Sequence, residues 1–164
     1  MNAARLDAYL ARLGRPDVSI DAAGLARLQA AHLMAVPFHN LLLVANDGQP
    51  WELPALPAVI DAAIAGVGGN CDRTTPPFTA LLQALGFDAH LAAATVRAPR
   101  DHFVCVVRVG AERFLCDVGN GHLYLRPWRS TVPDRPSRSG AGTSPSIPRR
   151  QRAPRSLVTC PTAR

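Results

Sequence analysis

The chain has 164 residues, 48% of them hydrophobic and 18% charged, with a net charge of +6 whose basic side is entirely arginine. That balance fits a globular domain with a real core and excludes collagenous, disulfide-framed and membrane-embedded chains. The charge is uneven: residues 1–128 hold 10 Arg against 11 Asp and Glu, whereas residues 129–164 hold 8 Arg against Asp134 alone. That basic stretch lacks interleaved aromatics, so no nucleic-acid partner is expected. No targeting segment is expected and no run of ~18 apolar residues occurs, so no membrane association is expected and the expected setting is cytoplasmic.

In chain order, Leu6, Tyr9, Leu10 and Leu13 recur at helical spacing over residues 2–14 and Gly14 ends them. Ser19 or Asp21 offers an N-cap to a second helix, whose apolar set is Leu25, Leu28, His32, Leu33 and Val36, stopped by Pro37. Residues 41–56 read as a loop with turn signals at Asn46-Asp47-Gly48 and Pro50. Residues 57–66 read as a short Ala/Ile-rich helix closing in Gly66. Val67-Gly68-Gly69-Asn70-Cys71 is a glycine-lined approach to a cysteine. Pro76-Pro77 suit only the start of a helix, so the next helix is expected from about Thr75 to Leu85, past Cys71.

The period then changes to two. His90–Val96, Phe103–Val109 and Arg113–Val118 read as strands, with Gly110-Ala111 the turn between the last two. After Trp128 come 6 Pro, 6 Ser and 8 Arg with no period, which predicts a disordered tail. The expected organisation is α+β: a helical domain over 1–86 carrying the cysteine, a partial antiparallel β domain over 87–128, and the tail over 129–164.

A cysteine attacks as thiolate and needs a base or a positive environment. Small residues ahead of it let backbone and substrate approach, which makes Gly68 and Gly69 candidate substrate-binding positions. The competing reading is a buried structural cysteine. An even-length loop at Gly110-Ala111 puts His102 and Asp117 on one face of the hairpin, opposite each other or one step diagonal. There a carboxylate can orient an imidazole as in a catalytic triad. A solvated strand-end histidine beside an unrelated turn aspartate is the other reading. Cys105 and Cys116 share the opposite face and read as core. No disulfide framework and no metal site are expected, and Cys160 in the tail reads as without a specific role.

Taken together, Tyr9-Leu-Ala-Arg-Leu-Gly14, His32-Leu-Met-Ala-Val-Pro-Phe-His-Asn-Leu41, Gly68-Gly-Asn-Cys71, Phe78-Thr-Ala-Leu-Leu-Gln-Ala-Leu-Gly-Phe87, His102 and Asp117-Val-Gly-Asn-Gly121 resemble the arylamine N-acetyltransferases over most of residues 1–128. The resemblance implies a helical bundle, a β-rich second domain and an α/β lid, with a papain/transglutaminase-like order of Cys, His and Asp. It implies a catalytic triad of Cys71, His102 and Asp117, with Phe38 lining the acceptor pocket. It implies ping-pong transfer of acetyl from acetyl-CoA, a donor substrate with no bound cofactor beside it, to an arylamine, hydrazine or arylhydroxylamine.

This chain departs from the family pattern at several places. Val67 stands for the Arg of Arg-Gly-Gly and His39 for the Glu of Pro-Phe-Glu-Asn. Asp72, Arg73 and Thr75 replace Phe, Glu and Asn after the cysteine, and Asn120 replaces the aromatic of Asp-Val-Gly-Phe-Gly. Asp72 is expected to raise the thiol pKa. The resemblance stops near Trp128, and the tail has the composition of a shifted reading frame, so a truncated or frameshifted product is expected. The competing functions are a catalytically inactive remnant and another cysteine acyl-transfer enzyme, an amide synthase or a transglutaminase-like hydrolase. An incomplete sheet at Leu123–Trp128 would expose an edge, which predicts self-association.

Overall fold

The computed structural model describes residues 1–130 apart from Gly48, Pro50 and Pro99. The expected tail from residue 131 onward, Cys160 included, lies outside the described residues, as do the Gly48 and Pro50 turn signals.

Helix α1 (Ala3–Arg12) begins where the Asn2 side chain accepts the Arg5 amide at 2.9 Å. Helix α2 (Ala22–Ala35) begins where Asp21 accepts the Gly24 amide at 2.7 Å. Each cap satisfies an orphaned N–H and is worth about 1 kcal/mol. Helix α3 (Leu41–Ala45) occupies part of the expected loop and buries none of its residues. Five residues are too few for a helical period to show. Helix α4 (Leu56–Ala65) has Pro57 in its first turn and ends at Gly66, whose φ is 76°. Arg12 closes that end by donating to the Ile64 and Ala65 carbonyls at 2.8 and 2.7 Å. These bonds tie α1 to α4, whereas the exposed Arg5–Asp61 pair at 2.8 Å adds little against water.

Helix α5 (Cys71–Ala84) corrects the expected start near Thr75. Asn70 is its N-cap residue, Cys71 opens it, and Pro76 and Pro77 lie inside it. The prolines cannot donate to the carbonyls one turn back, at Asp72 and Arg73. Other bonds hold the first turn. The Thr74 amide and Oγ1 both donate to the Asn70 carbonyl at 3.1 Å, and Thr75 Oγ1 donates to the Phe103 carbonyl at 3.2 Å. Burial of Thr74, Thr75, Pro77 and Phe78 adds packing that a solvated helix would lack.

The sheet is an antiparallel meander of β1 (Asp88–Ala94), β2 (His102–Val109), β3 (Glu112–Cys116) and β4 (Trp128–Arg129). Gly110-Ala111 is the β2–β3 turn, with Gly110 at φ 58°. Val107 lies opposite both Ala89 and Phe114, and Cys105 opposite Cys116. This face packs with Tyr9, Leu25, Leu28, Phe78, Leu81 and Leu82 into one core. Cys105 and Cys116 are free and fully buried there. Arg129, which composition assigned to the tail, pairs with Phe114.

His32 is fully buried in this core. The Tyr9 hydroxyl and its Nδ1 share a hydrogen bond at 3.1 Å, and its ring lies 4.9 Å from that of Phe78. Burial pulls its pKa from 6.5 to about 3, against partial opposition from the Thr74 carbonyl. The folded pKa lies below the unfolded one, so the unfolded chain takes up the extra proton. Stability from this residue is complete above pH ~6.5 and falls as pH drops towards 3, by up to ~1.4 kcal/mol per unit. Urea unfolding between pH 7 and 5 measures the slope. His32→Asn, which keeps a hydrogen-bond partner for Tyr9 and does not titrate, is expected to be less stable but flatter over that window. Equal slopes in both proteins would refute the assignment.

Candidate active site

His102 opens β2 and Asp117 follows the last residue of β3. With Cys105 opposite Cys116, the two are diagonal neighbours on one face of the hairpin. His102 Nε2 lies 2.9 Å from Asp117 Oδ1, and the two residues are only 8% and 5% exposed. A carboxylate oxygen only accepts, so Nε2 carries a proton, and in a neutral ring the lone pair then lies on Nδ1. Asp117 Oδ1 also accepts the Gly119 amide at 3.2 Å, and Oδ2 accepts Asn120 Nδ2 at 3.1 Å.

Cys71 stands at the N-terminus of α5, half-buried. The turn leaving β3 presses on it. A Cβ at Gly119 would come within 2.7 Å of both Cys71 Cβ and Thr75 Oγ1. Burial pushes the Cys71 thiol pKa up. The amide of Phe103 opposes this most, Asp72 adds to the rise, and the amides of Asp72 and Cys71 oppose it further. The expected effect of Asp72 is therefore present but second to burial. Asp72 is itself 5% exposed and accepts Trp51 Nε1 at 2.6 Å. Burial raises its pKa too, with the Trp51 bond and the nearby Arg73 charge pulling it back. The Arg73 guanidinium lies 5.3 Å from the centre of the Trp51 ring, close enough for a cation–π contact.

Cys71 and His102 line one cavity of about 360 Å³. Its apolar wall is Phe38, Leu43 and Val96, and its polar lining includes Asn40, Asn70, Asn120, Arg97 and Asp101. The Phe38 ring sits on the backbone of Gly121, where an added Cβ would meet it at 2.8 Å. Asp101 shapes the loop ahead of His102. It accepts the Val96, Arg97 and Ala98 amides at 2.8–2.9 Å, which holds its pKa down at about 2.

Gly68 and Gly69 pack against the segment that carries Phe38 and against Arg73. Phe38 and Gly69 form a parallel bridge. A Cβ at Gly68 (φ 69°) would fall 1.9 Å from the Pro37 carbonyl oxygen, and one at Gly69 (φ 142°) would fall 2.8 Å from the Arg73 side chain. The two glycines let the chain pair beside Cys71. The two positions that depart from the Arg and Glu of the family pattern touch each other: His39 Nε2 donates to the Val67 carbonyl at 2.8 Å.

The structure thus brings Cys71, His102, Asp117 and Phe38 together around one cavity or its immediate support. Sequence reading gave no site role to Gly119, Asn120 or Asp101. The Asp-Val-Gly-Asn run after a strand carried a signal, since an aspartate there captures amides two and three residues on.

A family model described as N-acetyltransferase matches residues 21–141. Proansamycin X synthase of Amycolatopsis mediterranei is 29% identical over 137 residues, 77% of this chain and 53% of its own. The arylamine N-acetyltransferase of Mycobacterium abscessus superposes with a TM-score of 0.62 at 36% identity, covering 76% of this chain and 46% of that one. That of Nocardia farcinica gives 0.61 at 34%, with the same coverage. The chain spans about half the length of these relatives. Fold, family match and likeness agree, and the chain belongs to the N-acetyltransferase family that includes the arylamine N-acetyltransferases.

Proposed function

We propose that this chain transfers the acetyl group of acetyl-CoA to the nitrogen of an arylamine, hydrazine or arylhydroxylamine through a thioester on Cys71. The observation that carries this reading is the 2.9 Å bond from His102 to Asp117 beside the cavity that His102 and Cys71 line. With Nε2–H given to Asp117, Nδ1 accepts the thiol proton as Cys71 attacks the acetyl carbonyl. The bond from that carbonyl carbon to the CoA sulfur then breaks, and the sulfur leaves with the proton. In the second half the amine attacks acetyl-Cys71 and His102 takes an amine proton. The amide forms as the bond to Cys71 breaks, and the proton returns to the cysteine. Asp117 stabilises the imidazolium in both halves. Amides of Phe103 and of the first turn of α5 face the sulfur and supply dipoles for developing negative charge. Phe38 and Leu43 provide an apolar wall suited to an aromatic acceptor.

A second reading keeps the triad and changes the acyl group, as in an amide synthase. The likeness to a protein named as the synthase of proansamycin X favours it.

Incubation with acetyl-CoA followed by mass spectrometry is expected to show one acetyl group on Cys71. Cys71→Ser should carry none as a thioester, and Asp117→Asn should slow its formation by ~10³-fold or more. No acetyl-Cys71, with a larger acyl thioester accepted instead, would favour the second reading. No acylation from any thioester would sink both.

Gly119→Ala is expected to keep the helical circular dichroism yet lose at least ~10²-fold in acylation, because the added methyl displaces Cys71 from its attack position. Unchanged acylation would show that the turn can retreat freely.

Alkylation by iodoacetamide in a Cys160→Ser background tests the electrostatics. The rate at Cys71 should climb with pH through a midpoint above the ordinary thiol range, and Asp72→Asn should lower that midpoint. Cys105, with its pKa pushed to about 11 and no exposure, should stay unmodified.

A further inference from the structure

Asp117 has two carboxylate oxygens, and the bond to His102 uses one of them. Oδ1 accepts His102 Nε2–H and the Gly119 amide, while Oδ2 accepts Asn120 Nδ2 at 3.1 Å. Only the nitrogen end of an amide can donate to a carboxylate, so chemistry fixes the orientation of Asn120. At 5% exposure Asp117 has little water to draw on, and its oxygens need donors from the protein. The torsion that turns an aspartate carboxylate is soft. A carboxylate held by one oxygen swings about its Cβ–Cγ bond, and one held by both does not.

We propose that Asn120 is a positioning residue for the triad, gripping Oδ2 of Asp117 so that Oδ1 stays on His102 Nε2 and Nδ1 stays free for the Cys71 proton. The proposal rests on the triad reading above. Asp117, Gly119 and Asn120 belong to one turn, so the grip forms with the turn and needs no distant contact. Asn120 also lines the cavity beside Cys71 and His102, so losing its amide gives water a way to the freed oxygen. Water competes for a carboxylate without fixing its direction, and the alignment of His102 then loosens. In the family pattern an aromatic stands at this position, which has no side-chain amide to offer, so the grip belongs to this chain's own sequence.

The test uses the full chain in a Cys160→Ser background, with two readouts that do not depend on acetyl transfer. Nitrogen NMR of His102 reads its tautomer, and iodoacetamide alkylation of Cys71 at pH 7 reads proton transfer. Asn120→Leu keeps the shape and removes the donor. It is expected to shift His102 from the Nε2–H form towards a mixture and to slow alkylation roughly tenfold at an unchanged unfolding temperature. Asn120→Gln, which keeps an amide, should restore most of the loss. Should the leucine unfold the chain, Asn120→Asp replaces the donor with an acceptor at the same size and is expected to move the tautomer the same way. Parent-like tautomer and rate in the Leu or Asp variant, with Asp117→Asn altering both, would overturn the proposal and leave the triad standing. If Asp117→Asn also changes neither, the triad reading fails and the proposal fails with it. A lower unfolding temperature with the tautomer unmoved would mark Asn120 as merely structural and overturn the proposal as well.

Discussion

At this site the turn leaving β3 lies against the first turn of α5, where Gly119 meets Cys71. A methyl group at 119 would stand 2.7 Å from Cys71 Cβ, so only hydrogen fits there. The turn leaving β3 can therefore lie directly on the first turn of α5. That single closeness brings Cys71 into one cavity with His102, whose partner Asp117 stands two residues before Gly119. The bond from Thr75 Oγ1 to the Phe103 carbonyl pins the same helical turn to the start of β2. Helix, strand and turn thus fix three side chains from distant parts of the sequence through backbone contacts, which tolerate less drift than contacts between long side chains.

The same economy appears on the other side of Cys71. The family pattern has opposite charges at the positions of Val67 and His39. Removing one charge alone would leave its partner unpaired. Here both are gone, and His39 Nε2 donates to the Val67 carbonyl instead. The surrounding backbone keeps its pairing, with the His39 amide donating to the Gly69 carbonyl and the Gly69 amide to the Pro37 carbonyl at 3.0 and 3.1 Å. The segment bearing Phe38 is therefore held beside Cys71 by main-chain bonds that do not depend on which side chains stand at 39 and 67.

What could be read from sequence was local or periodic. The two-residue turn at Gly110-Ala111 set the parity of the hairpin, and parity put His102 and Asp117 on one face. Asp21 and Gly66 marked helix ends by rules that act within a few residues. The start of α5 was misread because the proline rule is also local. It counts the donors that Pro76 and Pro77 lack and does not see the Thr75 bond to β2 or the burial of Thr74 and Pro77. Asn120 was visible as a departure from the family pattern, but its meaning depends on where Asp117 Oδ2 points, which no pattern along the chain encodes. Likewise the sequence marks Gly68 and Gly69 as small but does not show that an added Cβ there would meet Pro37 or Arg73.

The electrostatics around Cys71 constrain how the proposed chemistry proceeds. A cysteine at a helix N-terminus is often poised as thiolate. Here burial and Asp72 act together in the other direction, and the nearby amides offset them only in part. Asp72 is held by Trp51 and faces Arg73, so its own environment is built to keep a carboxyl group there rather than expel it. In the proposed chemistry that direction works against the thiolate, so the proton Cys71 gives up needs a base beside it. The proposed base is His102, on the same cavity as Cys71, so its orientation bears on the rate. That places the demand on Asp117, and through it on the turn from Asp117 to Asn120, whose donors fix the carboxylate and hence the ring.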